Sequence, residues 1–475
     1  MILQSRSAFA IPAFAAVLAL LSAAPAPGAD WSEQDLAAAA ALRDKAMTGT
    51  RAYEHVSSLV TEVGPRSAGS PGDAAAVRWA MNRLGSLGFS HVRTQDVLVP
   101  HWVRGTAEVA ILAPFPQTLV ATSIGGSVGT GEEGIEAQVV NAASLDALSA
   151  LPAGNVKDKI VFIDERMQRA RDGSGYAATV RNRSQGPSVA ANLGALALVI
   201  RSVGTSDDRI AHTGGLNYRP DAPRIPAFAI SNPDADVLAR QLQAGKPVRM
   251  RLKSTARELP PAWSANVIGE IPGRERPAEI VLLAAHLDSW DLGYGAIDDG
   301  AGVAIVTEAA RLIGKLDRAP ARTIRVVLFA NEEFGTSGGR EYARLATDTL
   351  ANHVLALEAD FGAGPVWRLE SRVGSESVPS LSAMLGVLAP IDIAEGANTA
   401  DPGSDIRPLM NAGVPILDLT LDGAKYFDVH HTVNDTLAKV DAKALDQSVA
   451  AFAVAAYLAA TKQGDFGRVP VEPAK

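Results

Sequence analysis

Between His286 and Gly302 the chain reads HLDSWDLGYGAIDDGAG, a stretch holding one histidine and the carboxylates Asp288, Asp291, Asp298 and Asp299. Acids this dense repel one another in a compact fold unless a cation neutralises them. Alone, the stretch reads better as an acidic loop facing water. Three later segments remove that reading: Asn331-Glu332-Glu333, Glu358-Ala359-Asp360, and the run from Tyr426 to Asp435 with its paired His430 and His431. Nitrogen and oxygen donors without sulfur suit zinc best, ahead of manganese or cobalt. His286, Asp298, Glu333, Asp360 and His431 exceed what one tetrahedral ion takes. Two divalent ions sharing a carboxylate and a water accommodate all five and make a hydroxide available at neutral pH. Glu332, beside Glu333, is then the free carboxylate that takes the water's proton and hands it to a leaving amine.

Each of these groups follows an apolar run of strand length. Residues 279–285, 323–330, 353–357 and 414–421 are such runs, and the first is followed by Val303, Val306, Ala310, Ile313 and Leu316 at helical spacing. Strand, loop and helix in alternation predict an α/β fold, with the site at the carboxyl ends of its strands. Upstream, 30–51 reads as a helix and 63–72 as a turn cluster. A second helix follows, buried through Ala76, Trp79, Ala80, Leu84 and Leu87 and closed by Gly88, and then an alternating strand over 91–102. From 125 to 259 the grammar changes to short β-like runs (137–140, 159–163, 195–200, 225–230) split by polar loops, with one helix at 188–193. This predicts a β-rich unit spliced into the α/β domain, whose two parts are 30–124 and 260–462. Residues 463–475 read as a flexible tail.

The chain has 475 residues, 47% apolar and 20% charged, with net charge −8 and no cysteine. It is long enough for two or three domains. Without a basic run it is a poor partner for nucleic acid or an anionic membrane. The lack of cysteine excludes disulfides, thiolate metal sites and a catalytic thiol. Residues 1–29 have a positive start at Arg6, an apolar run from Ala8 to Leu21 and small residues up to Ala29. This predicts a secretory signal removed near Ala29, export to the periplasm or the medium, and no stable membrane insertion.

The ordered set of motifs resembles the co-catalytic dizinc exopeptidases that include bacterial leucyl aminopeptidase and glutamate carboxypeptidase, and within them the carboxypeptidase Q type. It runs through Val63-Gly64-Pro65-Arg66-Ser67, Val99-Pro100-His101-Trp102, Ile200-Arg201-Ser202-Val203 and His212-Thr213-Gly214. HLDSWD (286–291), Asp298-Asp299-Gly300, Asn331-Glu332-Glu333, Glu358-Ala359-Asp360 and His430-His431-Thr432 complete it, so the likeness covers nearly the whole mature chain. The resemblance implies a mixed, largely parallel sheet sandwiched by helices, with the insert as a protease-associated domain. It implies that Asp298 bridges the metals, with His286 and Asp360 on one ion and Glu333 and His431 on the other. The family's last ligand precedes Ser or Thr, which selects His431 over His430. Glu332 is then the general base, Asp288 the carboxylate that orients His286, and the bond after Asp298 cis. The substrate implied is a dipeptide or short peptide, and relatives form homodimers. A helix starting almost at the leader's end argues against a separate activation peptide.

Other residues carry open readings. Tyr426 either stabilises an oxyanion or holds its loop, and His430 packs beside the ligands or supports them. His212 either reaches substrate or is a solvated loop histidine. Trp290 is expected as a wall, and His55, His91 and His353 without chemistry. An aminopeptidase would use the same metal core. A glutaminyl-cyclase-like acyltransferase uses one metal, and an inactive binding protein of transferrin-receptor type lacks ligands. The complete set of five argues against both.

Overall fold

The computed structural model describes residues 30–470, so the leader read in 1–29 lies outside the described residues. The apolar runs that precede the functional groups are neighbouring strands of one eight-stranded sheet. In spatial order its strands are Ser90–Val103, Arg257–Ile271, Arg322–Phe329, Arg276–His286, His353–Glu358, Ile416–Leu421, Val366–Arg372 and Ala394–Glu395. The four from Arg322–Phe329 to Ile416–Leu421 are parallel. Parallel strands are covered on both faces, which is why these runs are continuously apolar. Val281, Leu283 and Ala285 pack into the core on one side, and Leu282 and Ala284 into that on the other. Because the four point the same way, the loops leaving them share one edge.

Helix Gly300–Gly314 packs on this sheet and against Ala442–Thr461. The latter is long and apolar enough to cross a bilayer by length and composition, yet it is buried inside the protein beside helix Glu33–Met47. Helix Pro71–Leu87 buries Ala76, Trp79, Ala80, Leu84 and Leu87. It is capped by Ser70, starts on Pro71 and ends at Gly88 with φ +89°, a left-handed stop that glycine adopts without a Cβ penalty.

The inserted unit differs from its reading in two ways. Its sheet, in the order Gln117–Leu119, Ala107–Ala113, Arg249–Ser254, Ile135–Ala142, Ile160–Ile163, Ala197–Arg201, Ala227–Ile230 and Ala121–Ser123, begins before residue 125. Ala107–Ala113 pairs with Arg249–Ser254 of the same unit, and the returning strand Arg257–Ile271 already belongs to the first sheet. The unit is also more α/β than β. Its four central strands are parallel, and helices such as Leu145–Ser149 and Gly186–Asn192 connect them, with Asn232–Gln243 following the last. Val103 and Arg257, where the chain leaves and returns, are register partners.

The tail over 463–470 is docked rather than frayed. Phe466 and Val469 are buried, Gln463 N–H donates to Asp30 O, and Gly374 N–H donates to Phe466 O. Arg322, itself buried, donates to the carbonyls of Ala459, Lys462 and Gly464. Two apolar side chains and these bonds outweigh the chain's tendency to fray.

Candidate metal centre

His286 ends its strand with Nε2 facing the shared edge, 3.1 Å from Asp298 Oδ1 and 3.4 Å from Asp360 Oδ1. Its Nδ1 points back to Asp288, 3.1 Å from the carbonyl and 3.6 Å from Oδ1. That contact leaves Nε2 as the free donor, the arrangement metal-binding histidines use. Across the cluster, His431 Nε2 lies 3.2 Å from Asp298 Oδ2 and 3.0 Å from Glu333 Oε2. Its Nδ1 is 3.3 Å from the carbonyl of Thr213 in the inserted unit. Asp298 thus turns one oxygen to each histidine. Both His431 (φ +60°) and Asn331 (φ +59°) are left-handed, a conformation that costs a residue with a side chain and recurs at functional sites.

The supporting shell is dense. Asp435, buried, accepts the backbone N–H groups of Ile297 (2.7 Å) and Asp298 (3.1 Å). Asp299 accepts those of His286 and Gly302, each at 3.0 Å, and the Asp298–Asp299 peptide bond is cis. Asp288 Oδ1 accepts Glu332 N–H at 2.9 Å, while the backbone carbonyl of the same residue, rather than its carboxylate, is the partner of His286 Nδ1, so one residue steadies both a histidine and the neighbouring loop. Arg66, fully buried, donates to the carbonyls of Leu287, Tyr294 and Gly295 and pins the loop from below.

Among the described residues, none of Asp298, Glu332, Glu333 and Asp360 pairs with a lysine or arginine. Burial, and then the charge of Asp360, raises Glu332 well above the usual carboxylate range. Burial likewise raises Glu333 and Asp360. Burial works against a charged His431, but Glu333 and Asp298 outweigh it and push the imidazole up to about 9. It also works against ionised Asp298, yet hydrogen bonds from His286 and His431 hold that carboxyl well below its ordinary value. The cluster therefore calls for positive charge. Glu333 Oε1 is buried without a hydrogen-bond partner, and the donor set is all nitrogen and oxygen. Three overlapping trios (His286, Glu332, Asp360; His286, Asp298, Glu333; Asp298, His430, His431) each bring their donor atoms within 4.8 Å of one another. A cation fits here, although proximity alone separates neither Glu332 nor His430 from the ligands.

The other expected residues fall in distinct places. Asp291 turns away to Arg104, with Nε at 2.9 Å from Oδ2. His212 is 1% exposed, with Nδ1 2.8 Å from His430 O. It neither contacts solvent nor lines the cavity, because it fastens the inserted unit to the ligand loop. His430 stacks on His431 at 3.5 Å and keeps Nε2 3.7 Å from Asp298. Burial and then His431 hold it well below the ordinary histidine value. Tyr426 packs on His430 at 4.9 Å and lines the cavity, and its hydroxyl makes no hydrogen bond within the described residues. Trp290 walls His431 at 5.6 Å. His55 pairs with Glu308, His353 with Tyr342 and His91 with Glu270, all away from the site. In the sequence Asp435, Thr213 and Arg66 stand out only as parts of motifs. Their roles rest on backbone contacts across the chain, for which residue type carries no signal.

The cavity above the cluster measures about 380 Å³ and is walled by both units: Tyr176, Arg183 and Asn217 from the insert, Phe334, Ser404 and Tyr426 from the main domain. The sequence pattern of peptidase family M28 matches residues 266–456. Carboxypeptidase Q from Homo sapiens and from Bos taurus are each 35% identical over 410 residues, 86% of this chain and 85% of theirs. The crystal structure of a peptidase M28 precursor from Shewanella amazonensis SB2B is 46% identical and superposes with a TM-score of 0.91, over 92% of this chain and 99% of that one. A zinc aminopeptidase from Bacillus subtilis shares the fold at 21% identity, TM-score 0.63, over 88% and 97%.

Proposed function

The chain belongs to peptidase family M28 and is a metallo-exopeptidase, and we propose that it uses two zinc ions to cleave dipeptides or short peptides. His286 and Asp360 would hold one ion, Glu333 and His431 the other, and Asp298 both. The observation that carries this reading is Asp298, whose two oxygens face two different histidines at 3.1 and 3.2 Å. Bound there, zinc supplies a Lewis acid for the carbonyl and lowers the pKa of attacking water. Glu332 takes the water's proton and returns it to the leaving amine. Asp288 holds the Glu332 backbone and the His286 ring, which keeps base and ligand in register. Tyr426, on the cavity wall, would donate its hydroxyl to the developing oxyanion. Elemental analysis of zinc-saturated protein is expected to return two ions per chain, and one ion sinks the dinuclear reading.

The carboxypeptidase or dipeptidase reading is preferred because carboxypeptidase Q covers both chains at 35% identity, whereas the Bacillus aminopeptidase likeness speaks only to fold. Free dipeptides, N-blocked dipeptides and aminoacyl anilides decide between them. Fast anilide turnover without dipeptide cleavage establishes an aminopeptidase. We also read the inserted unit as the family's protease-associated domain and residues 1–29 as an export signal. N-terminal sequencing of the exported protein checks the latter, with the first residue expected near Asp30.

A further inference from the structure

The two histidines of the centre are held in different ways. A histidine presents Nε2 to a cation only while Nδ1 keeps its proton, so the acceptor at Nδ1 fixes both tautomer and ring. For His286 that acceptor is Asp288 O, two residues along the same loop. For His431 it is Thr213 O at 3.3 Å, 218 positions away in the inserted unit. The pairing is mutual, since Thr213 N–H donates to His431 O at 3.0 Å. Arg183 Nη1 donates to the same Thr213 carbonyl at 3.1 Å, so both of its lone pairs are engaged. One half of the centre is therefore self-contained, and the other is finished by the insert.

Thr213 is held in turn by a buried arginine at the point where the chain leaves the host sheet. Arg104 directly follows Val103, and its Nη1 is shared among the hydroxyls of Thr213 (2.9 Å) and Thr122 (3.0 Å) and Ser123 O. The Thr213 hydroxyl donates to Ser123 O at 3.0 Å. The other edge of the guanidinium binds Asp291, in the loop that follows His286, through Nε at 2.9 Å and through Nη2. Trp102 and Trp290 flank it at 4.9 and 5.5 Å. Trp290 rests on Gly125, where a Cβ would lie 1.9 Å from the indole, and Gly125 N–H donates to Gly214 O beside Thr213. One charge thus ties the loop of the first histidine to the residue that orients the second. Neither Arg104 nor Thr213 lines the cavity, so contact with substrate does not account for the arrangement. We propose that Arg104 and Thr213 are positioning residues for the His431 half of the centre. The ion held by Glu333 and His431 then depends on the docked insert, whereas the ion held by His286 and Asp360 does not. This rests on the two-zinc reading above.

The test titrates zinc into the metal-free full chain against a competing chelator and reads two dissociation constants. In Arg104→Met one constant is expected to rise by about 10- to 100-fold, the usual cost of losing an outer partner of a metal-binding histidine. The other stays at the wild-type value, and lost activity returns as zinc is raised. Thr213→Val keeps the branched shape but lacks the hydroxyl that Arg104 holds, so it should move the same constant. Thr213→Ser restores the hydroxyl and should bring that constant back. To identify the ion, Thr213→Val is added to Glu333→Gln, whose remaining ion is the one at His286 and Asp360. No further change is expected there. Unchanged constants, two constants that rise together, or Thr213→Ser as weak as Thr213→Val overturn the proposal and leave the two-zinc reading standing. So does a further loss in the Glu333→Gln background. A wild-type chain that binds a single ion overturns both. If Arg104→Met does not accumulate, the Thr213→Val and Thr213→Ser pair carries the test alone.

Discussion

The two sheets of this protein are built alike and used differently. Each has four parallel strands at its centre, and each sends polar residues off the carboxyl edge. At the inserted unit's edge the acids are neutralised. Arg201 binds Asp164 at 2.7 Å and Asp236 at 2.8 Å, and Arg166 reaches Asp236 at 2.6 Å. At the main sheet's edge four carboxylates converge with only histidines between them. A sheet edge is thus a place where a site can form, and unbalanced buried charge shows that one has. The first edge is finished by its own arginines, and the second needs ions from outside.

The sharpest way to break this contrast is at Asp298. Asp298→Asn is expected to abolish activity beyond the roughly 10⁴-fold that one acid–base group supplies, and to lower zinc content, because both ions lose a ligand. Full zinc occupancy in that variant would show that Asp298 is not shared. Next come the adjacent glutamates. Glu332→Gln should cut kcat by about 10²–10⁴-fold with zinc retained, whereas Glu333→Gln should lose zinc and recover partly when zinc is added. Metal analysis beside kinetics separates them, and the reverse pattern would exchange their roles. Chelation should then lower the melting temperature as well as the activity, since ions at 1,000 times their Kd stabilise by about 4 kcal/mol. A melting curve untouched by chelator would mean that the edge balances its charge internally.

The smallest effect is expected at the other edge. Arg201→Met should leave zinc content and activity unaltered and destabilise by about 2 kcal/mol, the scale of lost charge-assisted hydrogen bonds. Its pH signature follows from Asp236. Burial opposes ionisation there, but hydrogen bonds from Arg166 and Arg201 win and lower the carboxyl below its ordinary 3.8. A lowered carboxyl contributes stability above the unfolded value, lost as pH falls through the folded one. Arg201→Met should therefore flatten the acid limb of a stability–pH curve. A change in zinc binding would instead tie the two edges together.

Much of the main sheet was legible because buried parallel strands are apolar throughout and end abruptly in polar loops, as 279–285 and 323–330 do. The convergence of the loops that carry the candidate ligands was legible for the same reason, since parallel strands must share an edge. What stayed hidden depends on partners far along the chain. Nothing in Asp291 announces that it turns to Arg104, 187 positions away. His430 and His431 are the same residue type, and spacing alone does not separate them; Thr432 favours His431 only through the family resemblance, and it is His431 Nε2 that lies beside both Asp298 and Glu333. The start of the insert was misplaced because Ala107–Ala113 is a short run that would suit either sheet. The tail was misjudged because Phe466 and Val469 are isolated apolar residues in a polar stretch, and their burial depends on grooves made by other segments.

The pairing of Val103 with Arg257 has a consequence for how such a molecule can be inherited. The chain departs and returns at adjacent points of one ladder, so residues 104–256 form a detour whose ends are already joined. A detour of that kind lengthens a closed loop, and lengthening costs only about 0.6 kcal/mol per doubling. It can be gained, lost or exchanged as a block while the host sheet keeps its register. Thr213 and Arg183 travel in that block, whereas the five candidate ligands and Glu332 do not. The candidate metal ligands and part of the cavity wall, Tyr176, Arg183 and Asn217, therefore sit on separable lengths of chain, and a lineage could revise the second without touching the first.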